Sequence, residues 1–331
     1  MPENQPSADV LPPQSSEPIT RSAPLAQPRS VWFGPNGLRA GWRLLVYAVP
    51  LVACGFGVNT AARAIFGPRG HGAPSLGQNP WFAIVAESLT VLMFLVPAMI
   101  MAQLEKRSLA AYGLKCRDGA FKRFAEGAVW GFAGLSLLLL GMHSFGVFSY
   151  GAFAGFTRQT FYYAALWGVA FLLVGLAEEF GFRGYIQYTL TSGITFWPAA
   201  LLTSTLFLLG HMGNPGETKV GLAAVFMAGI LLSVALWRTG ALWFSIGIHL
   251  GWDWAQSFFY GVPDSGLVTK GHLFEGQAHG TAWLSGGATG PEGSVFALLV
   301  ETAFIPLILW RFRTVRYPDP QTLPKQPAAS L

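Results

Sequence analysis

Long apolar runs constrain this chain more than any other feature of its sequence. Eight stand out: Leu38–Arg63, Trp81–Leu104, Ala125–Phe148, Phe161–Leu190, Trp197–Gly213, Val220–Trp237, Ala241–Tyr260 and Ser294–Arg311. A helix needs roughly 20 mainly apolar residues to cross a bilayer. Backbone groups in hydrocarbon must also be satisfied inside the segment, which leaves helices as the spanning element for runs of this length. Composition agrees. Only 11% of the 331 residues are charged, where a soluble domain carries about 25%, and mean hydropathy is +0.43. These values exclude a water-soluble globular protein, and an aromatic content of 14% excludes disorder over most of the chain. The expected fold class is all-α: a polytopic transmembrane helix bundle of about eight spans.

Basic residues set the expected orientation. Arg21, Arg29, Arg39 and Arg43 fall on one side, with Lys106, Arg107, Lys115, Arg117, Lys122 and Arg123, then Arg238, then Arg311, Arg313 and Arg316. The alternate loops are Gly-rich and hold Arg63, Arg69, Arg158, Lys219 and Lys270. The richer set belongs in the cytoplasm, so eight spans place both termini there. The formal net charge of +5 then reads as topology and contact with anionic lipid headgroups rather than nucleic-acid binding. Residues 1–30 and 317–331 read as flexible tails around a helical domain at 31–316, and no signal peptide is expected in the first 30 residues. Residues 261–293 form a long Gly-rich outer loop, expected either to fold back over the bundle or to stay mobile. Cys54 and Cys116 offer neither a metal-ligand spacing nor an obvious disulfide.

Ionisable groups at membrane depth cost about 2.5 to 3.5 kcal/mol each on insertion scales, so each needs a reason. The fourth run contains Glu178-Glu179-Phe-Gly-Phe-Arg183. Glu179 and Arg183 are four apart and share a helix face, so they are expected to pair. Glu178 lies about 100° round the helix from Glu179 and about 140° from Arg183, which leaves it free for another task. Phe207 and His211 share a face of the fifth run, as do His249 and Asp253 of the seventh. Measured from the cytoplasmic ends, Glu178 lies about 18 Å deep, His211 about 21 Å, His249 about 15 Å and Asp253 about 21 Å. These depths agree to within about one helical turn, so the groups are expected to converge inside the bundle.

Such a cluster suits hydrolysis. A carboxylate in apolar surroundings can act as general base near neutral pH. Two histidines and an acid can either ligate a metal or stabilise an oxyanion directly. Ser245, four residues before His249, offers a covalent route, but that route leaves the glutamates and His211 unexplained, and Ser245 reads more simply as a small residue at a helix contact. The His-Glu-x-x-His helix of zinc proteases is absent. Bland readings stand beside these: Glu179–Arg183 as a structural ion pair, His249 as a core histidine bonded to Asp253, and His272, Glu275 and His279 as a hydrated loop. Glu87 and Glu301, each within a span, are expected to face the bundle or a substrate path. A proton-relay transporter would show paired repeats with broken helices, and no such symmetry is visible.

Taken in order, Glu178-Glu179-x-x-x-Arg183, Phe207-x-x-x-His211 and His249-x-x-x-Asp253 resemble the CAAX protease and bacteriocin-processing (CPBP, or Abi) family, which includes the type II CAAX prenyl endopeptidases. The resemblance covers about residues 160–260. Arg39-Ala-Gly-Trp-Arg43 and Leu109-Ala-Ala-Tyr-Gly-Leu114 are similar to features of bacterial members. The resemblance implies an intramembrane endopeptidase. In it Glu178 is the base, His211 helps to activate water or binds metal, and His249 with Asp253 polarises the carbonyl or completes a metal site. Glu179, Arg183 and Phe207 support them. The prenyl endopeptidases carry Asn where this chain has Asp253. An ionised Asp cannot donate to an oxyanion, which shifts weight towards a divalent metal such as zinc, held by His211, His249 and Asp253. Implied partners are membrane lipid and a peptide or protein substrate, prenylated or membrane-anchored, in a bacterial inner membrane. The alternative is a catalytically silent scaffold or bacteriocin-immunity-type protein of the same fold.

Overall fold

A computed structural model describes residues 30–34, 37–67, 77, 79–116 and 119–318. The two expected tails lie almost wholly outside the described residues. Ten α-helices appear among the described residues: α1 Ala40–Phe66, α2 Pro80–Leu104, α3 Ala120–Ser144, α4 Arg158–Glu179, α5 Gln187–Ile194, α6 Phe196–His211, α7 Lys219–Thr239, α8 Trp243–Trp254, α9 Ala282–Ser285 and α10 Val295–Arg311. The short strands β1 Phe33–Gly34 and β2 Gly37–Leu38 pair with each other, and β3 Phe148–Ser149 pairs with β4 Gln277–Ala278. Every one of the eight apolar runs is helical. Five helical segments are long and apolar enough to cross a membrane: α1, α2, α3, the composite Arg158–Ile194, and α7. The remaining runs give shorter helices.

Lipid-facing surface explains the side-chain distribution. Along 27 residues α1 buries only Tyr47, while Leu45, Val49, Val52 and Phe56 are exposed. In water that surface would drive association; in hydrocarbon it costs nothing. This is an integral membrane protein.

Two helices do not run as simple α-helices. The fourth run passes at Phe180–Ile186 into a π-helical turn, with Gly184 at ψ −113° marking a kink. The segment from α8 likewise ends in a π-turn at Ala255–Phe259. A uniform 3.6-residue periodicity therefore misdescribes both. The composite Arg158–Ile194 has 37 residues, about 55 Å if it were straight, and the kink accommodates that length. Such turns recur at functional sites; here one follows Glu178–Glu179 directly and contains Arg183, and the other follows His249–Asp253.

The pairing of α3 with α8 is built on glycine. A Cβ on Gly127 or Gly131 would collide with the carbonyls of Phe244 or Ile248, and one on Gly247 or Gly251 with those of Phe124 or Ala128. Two small-xxx-small stripes thus interlock, and without a hydrophobic drive between helices in lipid this close packing is a main source of association. Around this pair, α4 packs on α2 and α8, α6 on α7, and α10 on α7 and α3.

The two upstream motifs meet at Glu105. Arg43 grips it with Nε at 2.8 Å and Nη2 at 2.6 Å, while the hydroxyls of Tyr112 (3.1 Å) and Tyr185 (2.7 Å) donate to it. This charge-assisted fork ties the start of α1 to the end of α2 and to the π-turn.

The segment 261–293 folds back over the bundle. Leu273 N donates to Phe258 O and Phe274 N to Phe259 O. β4 joins β3, and Trp167 Nε1 donates to Lys270 O. Gly290, at φ 115°, passes so close to the Pro263 carbonyl that no side chain fits there.

Replacing Gly131 with Ala should cost about 1–3 kcal/mol, the usual penalty for overpacking. It should lower the thermal unfolding midpoint of the purified protein; an unaltered midpoint would mean that α3 and α8 are not in backbone contact.

Candidate active site

The site begins with an ion pair. Arg183 Nη1 lies 3.0 Å from Glu179 Oε1, and both side chains are fully shielded. The pairing survives the π-turn because Arg183 still reaches back one turn. The same oxygen, Glu179 Oε1, lies 3.2 Å from His249 Nδ1. An ionised carboxylate only accepts, so Nδ1 is the donor and Nε2 of His249 faces the interior. The bond expected between His249 and Asp253 is therefore supplemented: Glu179 takes Nδ1, and Asp253 Oδ2 sits 3.5 Å from Nε2.

Phe207 and His211 are arranged by the same logic. His211 Nδ1 lies 2.8 Å from the Phe207 carbonyl oxygen, which can only accept, so Nδ1 carries the proton and Nε2 is presented to the cavity. The ring of Phe207 packs 4.4 Å from that of His211. The Arg183 guanidinium lies 4.3 Å from the Phe207 ring centre on a cation–π contact. Phe207 thus couples the ion pair of α4 to the histidine of α6.

The two Nε2 atoms converge on Glu178. Its Oε2 lies 3.5 Å from His249 Nε2 and 4.0 Å from His211 Nε2. Glu178, His211, His249, Asp253 and Phe207 line one cavity of about 250 Å³. The separate-face reading of Glu178 and Glu179 holds geometrically: Glu178 faces the cavity and Glu179 is buried behind it.

Ser245 is elsewhere. It is fully buried, donates its hydroxyl to Leu232 O at 3.1 Å, and is absent from the cavity wall, as suits a helix-contact residue. In the outer loop, His272 Nδ1 lies 2.9 Å from Thr269 O and His279 Nε2 3.0 Å from Ser149 Oγ.

Among the described residues, no group of three or more His, Cys, Asp or Glu side chains is arranged to hold a metal ion. His249 Nε2 is within reach of Asp253, but His211 has Glu178 as its only acidic neighbour within 4.0 Å. The set His211, His249 and Asp253 does not close into a metal centre as it stands, and no chemical step is derived through one.

The cavity reaches residues that the motifs did not mark as a site. Asp264, Ser265 and Glu292 of the outer loop line it, as do Ser257, Glu87 and Glu301. Ser257 Oγ donates to Asp264 at 2.8 Å. Glu292 accepts from Ser265 N (2.7 Å), Ser265 Oγ (3.1 Å) and Gln256 Nε2 (3.0 Å). Burial pushes the carboxyls of Asp264 and Glu292 well above the ordinary carboxylate range, with neighbouring Asp253 and Asp264 respectively adding to the effect. Their only signal in the sequence was their place in a long loop between two spans.

Fold and site together define a membrane protein in which ionisable side chains from separate helices face one internal cavity. Residues 160–255 match the family described as type II CAAX prenyl endopeptidase Rce1-like. This match supports a CPBP/CAAX protease family assignment for that stretch, which contains every residue from Glu178 to Asp253 named above. Over 82 residues the chain is 35% identical to an uncharacterized 24.3 kDa protein of Escherichia coli, a stretch that is 24% of this chain and 37% of that protein. The chain therefore spans little more than a third of the length of that curated relative. No solved structure matches.

Arg183→Ala strands Glu179 in a dry environment and should cost about 3–5 kcal/mol. The expected outcome is a lowered unfolding midpoint and reduced abundance in the membrane; wild-type stability would show that the pair carries no structural load.

Proposed function

We propose that this protein is an intramembrane endopeptidase in which Glu178 and His211 activate water against a peptide carbonyl held by His249. One observation carries the reading: Glu178 lies within 3.5 Å and 4.0 Å of the inward nitrogens of two histidines, each oriented by an acceptor behind it, on the wall of a shared cavity.

The steps follow from the donors and acceptors. A water between Glu178 and His211 gives one proton to the Glu178 carboxylate and directs its other hydrogen to the lone pair of His211 Nε2. The hydroxide so generated adds to the carbonyl carbon. His249, holding both protons, donates from Nε2 to the oxyanion that forms. Asp253 compensates the imidazolium charge once Glu178 has been neutralised. Glu178 then passes its proton to the departing nitrogen, the C–N bond breaks, and a carboxylic acid and an amine leave. Glu179 takes no proton; it accepts from Nδ1 and fixes the angle of the His249 ring, as a buried carboxylate behind a histidine does in other hydrolases.

The proposed substrate is a peptide or protein at the membrane, prenylated or membrane-anchored, whose backbone finds polar partners inside the bundle. The proposed setting is a bacterial inner membrane with both termini in the cytoplasm, from the bias of basic loops. A silent scaffold would have no use for a carboxylate held between two oriented histidines at membrane depth.

Glu178→Gln should reduce cleavage about 10²–10⁴-fold while the folded protein stays abundant. Comparing membrane proteomes of a deletion strain complemented with wild type or with this variant would reveal uncut substrates; identical proteomes would refute the assignment. Dialysis of purified protein against a chelator should leave the rate unchanged. A loss restored by zinc would instead assign His211, His249 and Asp253 to a metal.

A further inference from the structure

The cavity continues past the proposed base to a second polar end whose residues lie outside the matched stretch 160–255. Six carboxylates line it in all: Glu87, Glu178, Asp253, Asp264, Glu292 and Glu301. The chain has 21 Lys and Arg against 16 Asp and Glu, yet among the described residues no Lys or Arg lines this cavity. The two imidazoles that also line it, His211 and His249, both lie within 4.0 Å of Glu178.

Most of these groups are nevertheless accounted for. Asp264 and Glu292 accept hydrogen bonds that staple the outer loop. Glu178 and Asp253 face His249. Two remain, Glu87 and Glu301, and the more buried is Glu301. It projects from α10, is only 6% exposed, and lines the cavity. Its Oε2 is buried with no hydrogen-bond partner among the described residues. A carboxylate so placed within a membrane bundle marks a path for a ligand and calls for a partner.

The partner must bring its own positive charge. A divalent ion needs several converging donors, and no such group exists among the described residues. An ammonium or guanidinium needs only one or two carboxylates and pairs with them strongly when desolvated. Part of the cavity wall is apolar, with Val225, Ala228 and Leu232 of α7 lining it. Such a surface suits the aliphatic stem of Lys or Arg while its charged head reaches Glu301.

We infer that Glu301, backed by Glu292, forms a subsite for a cationic side chain of the peptide substrate close to the scissile bond. The inference rests on the proteolytic reading for the peptide, and on the unpartnered carboxylate for the charge. An anionic side chain at that position would be repelled.

The test uses the full-length protein reconstituted in proteoliposomes and a set of internally quenched peptides. Lys, norleucine or Glu occupies each position in turn. Binding is measured with Glu178→Gln protein, by thermal shift, and cleavage with wild type. At one position Lys should be preferred over norleucine at least tenfold in affinity, with Glu weaker than both. Glu301→Gln, introduced alongside Glu178→Gln, should bring the Lys-to-norleucine ratio near one, and Glu301→Asp should retain most of the preference. Equal affinity for the three side chains, no affinity for any Lys peptide, or a preference untouched by Glu301→Gln would overturn the subsite. Charge-selective binding without any product from wild type would leave the subsite standing and defeat the proteolytic reading instead; cleavage without charge selectivity would do the reverse.

Discussion

One carboxylate oxygen joins two membrane helices at the centre of this protein. Glu179 Oε1 receives Arg183 from its own helix at 3.0 Å and His249 from α8 at 3.2 Å. In hydrocarbon neither charge could stand alone, because the desolvation of an unpaired ion is worth several kcal/mol. The pair therefore holds α4 against α8 and turns the His249 ring so that Nε2 faces the cavity. Everything proposed for Glu178 depends on that orientation, since a rotated imidazole would offer the wrong nitrogen. Phe207 extends the arrangement to α6 by packing against both the Arg183 guanidinium and the His211 ring.

Backbone geometry supports this placement. The Gly127/Gly131 stripe of α3 and the Gly247/Gly251 stripe of α8 let two helix backbones touch. A histidine on α8 can act on a group of α4 only if α8 is held to a fraction of an ångström, and direct backbone contact is stiffer than contact through long side chains. The π-turns at Phe180–Ile186 and Ala255–Phe259 then re-aim the helices just beyond Glu178–Glu179 and His249–Asp253. Arg43, Tyr112 and Tyr185 on Glu105 anchor one end of the bundle, and the outer segment 261–293 covers the cavity with its own hydrogen bonds to the end of α8. That segment brings Asp264 and Glu292 into the cavity and, with Glu301 of α10, gives it a polar region beyond the stretch shared with the family.

The helices and the inner polar set were legible in the amino-acid order because both rest on local rules. Apolar length specifies a spanning helix, and a four-residue spacing puts Glu179 with Arg183, Phe207 with His211 and His249 with Asp253 on common faces. The cost of burying charge marks those residues as purposeful, and the agreement of their depths already pointed to convergence. The triple order of the motifs carried the family resemblance.

Local rules stop where distant segments meet. Nothing in the spacing says that Glu179 shares an oxygen between Arg183 and His249, because that contact crosses 70 positions of sequence. The π-turns were invisible for a related reason: a periodicity argument assumes the very helical pitch they break. The Arg43 and Tyr112 motifs were visible as separate patterns, but their common partner Glu105 was decided by packing. Glu87 and Glu301 could be read as inward-facing; that Glu301 shares a cavity with Glu292 was settled only when a glycine-rich loop, free by its local chemistry to go almost anywhere, folded onto the bundle. Sequence alone thus determined the membrane, the helices and the chemistry of each face, because these follow from neighbours along the chain. Which faces share one cavity was decided by the tertiary structure, because interhelical approach depends on the summed packing of surfaces that no single segment contains.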